Sequence, residues 1–126
     1  MIKGIEAILI GSQDAKKLAE FYRNIVGFKQ ILETEMGEKK EKGFEFELGD
    51  GIGLYILDHS KVKGKNNLPD RIMFNLEVDD IEKEVKRLDK KGVKKIQDIY
   101  HVEDYGLIAT FEDTDGNYFQ LVKTRE

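Results

Sequence analysis

Few side chains in this sequence are suited to catalysis or metal binding. Histidine occurs at His59 and His101 alone, and there is no cysteine. The lack of cysteine removes disulfides, thiolate metal sites and thiol nucleophiles together. Ser12 and Ser60 are the two serines, and neither stands in a nucleophile context. The two histidines are too far apart to form a ligand motif. His59 sits at a strand end and His101 falls within Ile99-Tyr-His-Val-Glu-Asp-Tyr105, so each reads first as a surface or hydrogen-bonded loop residue. His101 is the stronger functional candidate, because Tyr100 and Tyr105 flank it. Glu6, Glu45 and Glu47 fall on or beside predicted strands and read as solvent-facing carboxylates. Asp113 and Asp115 fall in a predicted turn, where aspartate caps backbone groups. Gly49-Asp-Gly51-Ile-Gly53 lies between strands instead of before a helix, so it is no phosphate-binding loop.

What must position these residues is a unit that occurs twice. With Asp14 aligned to Asp80, Ala7-Ile-Leu-Ile-Gly-Ser-Gln-Asp14 matches Met73-Phe-Asn-Leu-Glu-Val-Asp-Asp80. A helical stretch follows each, one residue shorter in the second copy, and then Gly27-Phe-Lys-Gln-Ile31 matches Gly92-Val-Lys-Lys-Ile96. Further on, Asp50-Gly51-Ile-Gly-Leu-Tyr55 matches Asp115-Gly116-Asn-Tyr-Phe-Gln120. A unit of about sixty residues buries its own sheet face poorly, so two copies are expected to pack together, with a ligand-sized concavity between their sheets.

In the first copy, Ile2 to Ile10 is apolar and β-branched enough for a buried strand. Leu18, Phe21, Tyr22 and Ile25 follow the stripe of an amphipathic helix, capped by Ser12 or Asp14 and stopped at Gly27. Phe28 to Thr34, Phe44 to Leu48 and Ile52 to Leu57 are predicted strands, joined by a charged connection and by the Asp50-Gly51 turn. In the second copy, Arg71 to Val78 is a strand. Asp79-Asp-Ile-Glu opens a helix whose buried stripe is Ile81, Val85 and Leu88, and Gly92 stops it. Strands at Val93–Val102, Gly106–Glu112 and Asn117–Lys123 complete the copy. Each half is βαβββ, and the fold class is α+β. Residues 1–126 are expected to form one domain, with repeats 1–58 and 71–126 joined by the polar linker 59–70, which carries the sole proline.

Composition narrows the partners. The chain is 37% charged with a net charge of −4, and its Lys and Glu residues are interleaved. A nucleic-acid partner calls for a one-sided basic surface, which this pattern does not supply. Met1-Ile-Lys-Gly-Ile-Glu holds no long apolar run, so neither a signal peptide nor a membrane span is expected, and a cytoplasmic protein is.

The run Ser12-Gln-Asp14-Ala-Lys-Lys-Leu18-Ala-Glu-Phe21-Tyr22, then Ile25-Val-Gly27-Phe28, and the tail Asp113-Thr-Asp115-Gly116-Asn117-Tyr-Phe-Gln-Leu121 resemble the vicinal oxygen chelate superfamily. That group includes glyoxalase I, bleomycin-resistance proteins, fosfomycin-resistance proteins and extradiol dioxygenases. The resemblance spans essentially the whole chain and implies two βαβββ repeats forming a half-open mixed β-barrel. It also implies a homodimer, and, for metal-using members, ligands at positions that correspond here to Ala7, Tyr55, Met73 and Gln120.

Those four residues are poor ligands. Alanine donates nothing, a thioether is soft, an amide oxygen is weak and neutral, and a phenol with a pKa near 10 must first lose a proton. Catalytic divalent sites hold at least three good protein donors, so no metal and no cofactor is expected. Strand alternation places Ala7 with Ile5 and Leu9, Tyr55 with Gly53 and Leu57, Met73 with Asn75, and Gln120 with Tyr118 and Val122. The opposite faces (Ile8, Ile10, Leu54, Ile56, Phe74, Leu76, Phe119, Leu121) are apolar and should pack on the helices. Ala7, Tyr55, Met73, Asn75, Tyr118, Gln120 and His101 are therefore the candidate ligand-binding residues. Their mixed character suits an uncharged or weakly polar small organic molecule. Three functions compete: metal-free small-molecule binding, as in bleomycin-resistance proteins; a metal-dependent lyase, isomerase or dioxygenase; and a metal-free enzyme using Tyr55, His101 or a strand glutamate as acid or base.

Overall fold

Two four-stranded sheets, one in each half of the chain, carry the fold. The computed structural model describes residues 1–125 and divides the chain into two units, Met1–Gly64 and Lys65–Glu126. The polar stretch 59–70 is thus shared between them, and Glu126, the end of the expected second repeat, lies outside the described residues.

In the first unit, β1 (Ala7–Ser12) is followed by α1 (Ala15–Glu20), a π-helical segment (Phe21–Val26), β2 (Lys29–Met36), β3 (Glu41–Glu47) and β4 (Gly53–Asp58). The sheet order is β1-β4-β3-β2, with β1 parallel to β4 and the other pairs antiparallel. Three oxygen acceptors organise the helix start. Ser12 Oγ accepts from Asp14 N–H at 3.0 Å, and Asp14 caps the helix by accepting from Lys17 N–H at 3.1 Å. Asp58, at the end of β4, accepts from Ala15 N–H and Lys42 N–H at 2.9 Å each, tying helix start and hairpin to one carboxylate. α1 lies against β3 and β4, and the core between them is Leu18, Phe21, Tyr22, Phe44, Phe46, Leu54 and Ile56, all almost fully buried. Each such side chain stabilises the fold by about 1.5–3 kcal/mol. Tyr22 stacks on Phe28 at 5.5 Å.

The second unit repeats the plan: β5 (Phe74–Glu77), α2 (Ile81–Lys90), β6 (Lys94–Val102), β7 (Gly106–Glu112) and β8 (Tyr118–Thr124), in the order β5-β8-β7-β6. Asp80 caps α2 through Lys83 N–H at 3.1 Å, and Ile81, Val85 and Leu88 are buried as their spacing predicts. The β7–β8 turn is held by Asp113, just 3% exposed. Its carboxylate accepts from the backbone N–H groups of Asp115 and Asn117, at 2.9 Å each, and from Asn117 Nδ2 at 3.0 Å. The architecture is α+β, two βαβββ units, as the repeat implies.

Three strands differ from expectation at their starts by three residues or more, and of these β3 begins at Glu41, not Phe44, because β2 runs on to Met36 and pairs with it there. β1 begins at Ala7, not Ile2, because its partner β4 begins at Gly53, the residue opposite Ala7. Residues further upstream have no ladder to join, and Ile2 and Ile5 are exposed. β5 is likewise confined to Phe74–Glu77, where it meets β8. No helix among the described residues is long and apolar enough to cross a membrane.

Candidate functional site

In each unit the helix covers one sheet face and leaves the other open. Leu54, Ile56, Phe119 and Leu121 point to the covered side and are buried, whereas Ile8, Ile10, Phe74 and Leu76 are half-buried there. Residues of the opposite parity form the open faces. Register makes the two open faces equivalent. Leu9 and Glu45 flank Tyr55 in the first sheet; Asn75 and Thr110 flank Gln120 in the second.

On the second sheet the open face holds a depression of about 480 Å³ lined by Asp70, Met73, Ile96, Gln97, Tyr100, Thr110, Tyr118 and Gln120. At its floor Gln120 Nε2 donates to Thr110 Oγ1 at 2.9 Å, and Thr110 is buried. This bond fixes the amide and leaves Gln120 Oε1 as an acceptor. Gln97 Nε2 donates to the Asp98 carbonyl at 3.3 Å, so its oxygen is likewise available. Met73, Ile96 and the rings of Tyr100 and Tyr118 supply the apolar surface. Two β-bulges in β6, between Lys95 and Gln97 and between Gln97 and Tyr100, set which of its residues face inward. With the bulges, Gln97 stands opposite Thr110 and Tyr100 opposite Ile108, whereas His101 pairs with Leu107 on the other parity.

The expected residues therefore separate. Met73, Tyr118 and Gln120 share the depression. Asn75 is one strand over from Gln120 and spends its Nδ2 on the Tyr105 hydroxyl at 3.0 Å. His101 is exposed on β6 and does not line the depression; Tyr100 does. Asp70, Ile96, Gln97 and Thr110 also line the depression and are not among the expected ligand-binding residues. Thr110 could have been found from its position opposite Gln120; Asp70 could not, since it arrives from an irregular segment. His59 is a turn residue whose Nδ1 accepts from Lys61 N–H at 3.1 Å.

Ala7 and Tyr55 belong to the first sheet, where the face is shaped differently. Gly53 stands opposite Ala7, and the Tyr55 ring lies back over this small pair: a Cβ on Gly53 would sit 3.7 Å from both Ala7 Cβ and Tyr55 Cε2. The Tyr55 hydroxyl donates to Glu45, its cross-strand neighbour, and this bond, with some burial and the charges of Glu45 and Glu6, holds the phenol above its ordinary pKa. Glu45 is thus a half-buried member of the open face, not a carboxylate turned to solvent.

These contacts bear on the metal that the resemblance raises. Ala7 has no donor atom, Met73 offers a thioether, Gln120 offers one amide oxygen, and Tyr55 is held in its protonated form. Among the described residues no group of three His, Asp or Glu side chains is placed to hold an ion. The donor set does not fit a catalytic divalent metal.

The fold and most of the sequence have known counterparts. The family model of the Glyoxalase/Bleomycin resistance protein/Dioxygenase superfamily matches residues 4–121. YetH, an uncharacterized protein of Bacillus subtilis (strain 168), is 27% identical over 121 residues, which cover 96% of this chain and 98% of YetH. TnmS3, an antibiotic binding protein from Streptomyces sp. CB03234, superposes with a TM-score of 0.78 at 22% identity, covering 98% of each chain. FosX, a genomically encoded fosfomycin resistance protein from Listeria monocytogenes, gives 0.77 at 21% identity, covering 99% of this chain and 96% of its own. At such identities the two structural likenesses speak for the fold, and the family match speaks for descent. The chain belongs to the glyoxalase/bleomycin resistance protein/dioxygenase superfamily.

Proposed function

We propose that this protein binds a small organic molecule on the open face of its second sheet, without a metal. The observation that carries the reading is the depression itself. Its volume of about 480 Å³ is within the range of small-molecule sites, and thioether, aliphatic and aromatic surface surrounds a few oriented polar groups. Met73 and the tyrosine rings would take up an apolar body, and the anchored amide of Gln120 would orient it. The poor donor set at Ala7, Tyr55, Met73 and Gln120 supports metal-free binding over lyase, isomerase or dioxygenase chemistry. Antibiotic binding by TnmS3 and the resistance role of FosX make sequestration of an organic compound a fitting activity.

The same reading takes residues 1–126 as one cytoplasmic domain that acts as a homodimer. Leu9 and Leu32, 66% and 50% exposed on the open face of the first sheet, support a covering partner copy. Light scattering that gives a monomer at micromolar concentration would remove the dimer from the proposal.

A thermal-shift screen of aromatic compounds tests the site. A ligand at 100 times its Kd should stabilise the fold by about 2.7 kcal/mol. Gln120→Leu should weaken a hit by about 1–3 kcal/mol through loss of a buried hydrogen bond. Hits that bind Gln120→Leu and Met73→Ala as tightly as the parent would show that the ligand lies elsewhere.

A further inference from the structure

The charge and hydrogen-bonding sense of the depression identify its ligand class more narrowly. Asp70 is the one charged side chain in the lining, and no Lys, Arg or His accompanies it. Nearby lysines on β6 are engaged elsewhere: Lys95 reaches Asp89 at 3.0 Å and Asp98 at 3.4 Å, and Lys94 reaches Glu112 at 3.7 Å. Among the described residues none forms a hydrogen bond or ion pair with the Asp70 carboxylate. Each of the two glutamines spends one N–H inside the protein and keeps its oxygen, an acceptor that an ammonium can meet, beside a second N–H. Tyr100 and Tyr118 add aromatic rings to the lining, and the faces of such rings attract cations. Carboxylate, amide oxygens and ring faces all favour the same partner, a positively charged N–H donor.

We infer that the ligand of the depression is a small organic cation, a protonated amine whose ammonium group meets Asp70 and the tyrosine rings while its apolar body rests on Met73 and Ile96. The inference rests on the binding reading above and replaces the expectation of an uncharged ligand, which was formed without Asp70.

Three probes of one shape test it on the full chain: 2-phenylethylammonium, 2-phenylethanol and 3-phenylpropanoate. Binding is followed by ¹⁵N amide shifts, with the resonances of Tyr100, Tyr118 and Gln120 marking the site. The ammonium compound should bind about fivefold tighter than the alcohol, the ratio expected of a partly exposed ion pair. The carboxylate should bind weakest. Asp70→Asn should bring the ammonium-to-alcohol ratio to about one. Asp70 is exposed, so the variant should fold, and its amide spectrum verifies that. If alcohol and ammonium bind equally and both depend on Gln120, the charge inference is overturned and the binding reading stands. A preference for ammonium that survives in Asp70→Asn overturns the role of Asp70. If none of the three shifts the marker resonances, both readings fall.

Discussion

Replacing Asp113 by alanine should destabilise the second unit more than any surface change. Asp113 is 3% exposed, and its carboxylate accepts from two backbone N–H groups at 2.9 Å each and from Asn117 Nδ2 at 3.0 Å. Hydrogen bonds to a charged acceptor contribute about 1.5–3 kcal/mol each, and orphaned donors in a part-buried turn carry a further desolvation cost. Asn117 Nδ2 can turn to water, so the two backbone donors dominate, and the expected loss is about 3 kcal/mol. Asp113→Asn keeps one oxygen for those donors but sets an NH₂ against Asn117 Nδ2; it should lose about half as much. The chain has no tryptophan, so urea unfolding is best followed by far-ultraviolet circular dichroism. With a slope of about 1.5 kcal/mol/M, the alanine variant's midpoint should fall by about 2 M. If the units unfold in two transitions, the one that should move is that of the second unit, which holds Asp113. A loss within the roughly 0.5 kcal/mol of ordinary surface substitutions would refute the argument that this carboxylate closes the turn.

Gly106 has φ of +139°, and a Cβ there would run into the Lys123 carbonyl, so Gly106→Ala should cost more than about 2 kcal/mol; an unchanged Tm would contradict the close approach of β7 to the end of β8. The Tyr55 phenol, raised by its hydrogen bond to Glu45, should titrate above the ordinary phenol pKa in an ultraviolet absorbance titration, and Glu45→Gln should lower it. Its contribution to stability is fully present below the ordinary phenol pKa of about 10 and is lost as pH rises through the raised value. A Tyr55 titration indifferent to Glu45→Gln would exclude that bond. Protein purified without an affinity tag should carry no stoichiometric Zn, Ni, Mn or Fe, and elemental analysis giving about one ion per chain, resistant to mild chelation, would defeat the metal-free reading.

Much of the fold is legible in residues that act locally. Asp14 and Asp80 cap the helices at the aligned positions, Gly27 and Gly92 stop them in left-handed conformation, and Ile81, Val85 and Leu88 are buried as their spacing demands. Strand starts are less legible, because Ile2 to Glu6 resemble a strand in composition but precede the first ladder pair, Ala7 with Gly53. In the site, Met73, Tyr118 and Gln120 follow from simple alternation. Gln97 and Tyr100 do not, since two bulges break the period that alternation assumes. Asp70 depends on the course of an irregular segment, which no local pattern encodes. Glu45 was misread for the opposite reason: strand carboxylates usually face water, and its bond with Tyr55 is visible once β3 and β4 are paired.

The span from Asp14 to Gly27 is one residue longer than that from Asp80 to Gly92, and the surplus is taken up by the π turns of Phe21–Val26, where Gly27 and Phe28 N–H both reach the Tyr22 carbonyl at 2.9 Å. A widened turn of this kind is how a helix accepts an inserted residue without passing the shift onward. Had the insertion fallen in β2 or β3, every side chain beyond it would have changed faces. The segment therefore works as an expansion joint. It confines changes in chain length to the helix, so the two copies could drift in length while Tyr55 and Gln120 kept matching places on their sheets. Single-residue insertions and deletions should be tolerated there and rejected a few residues later.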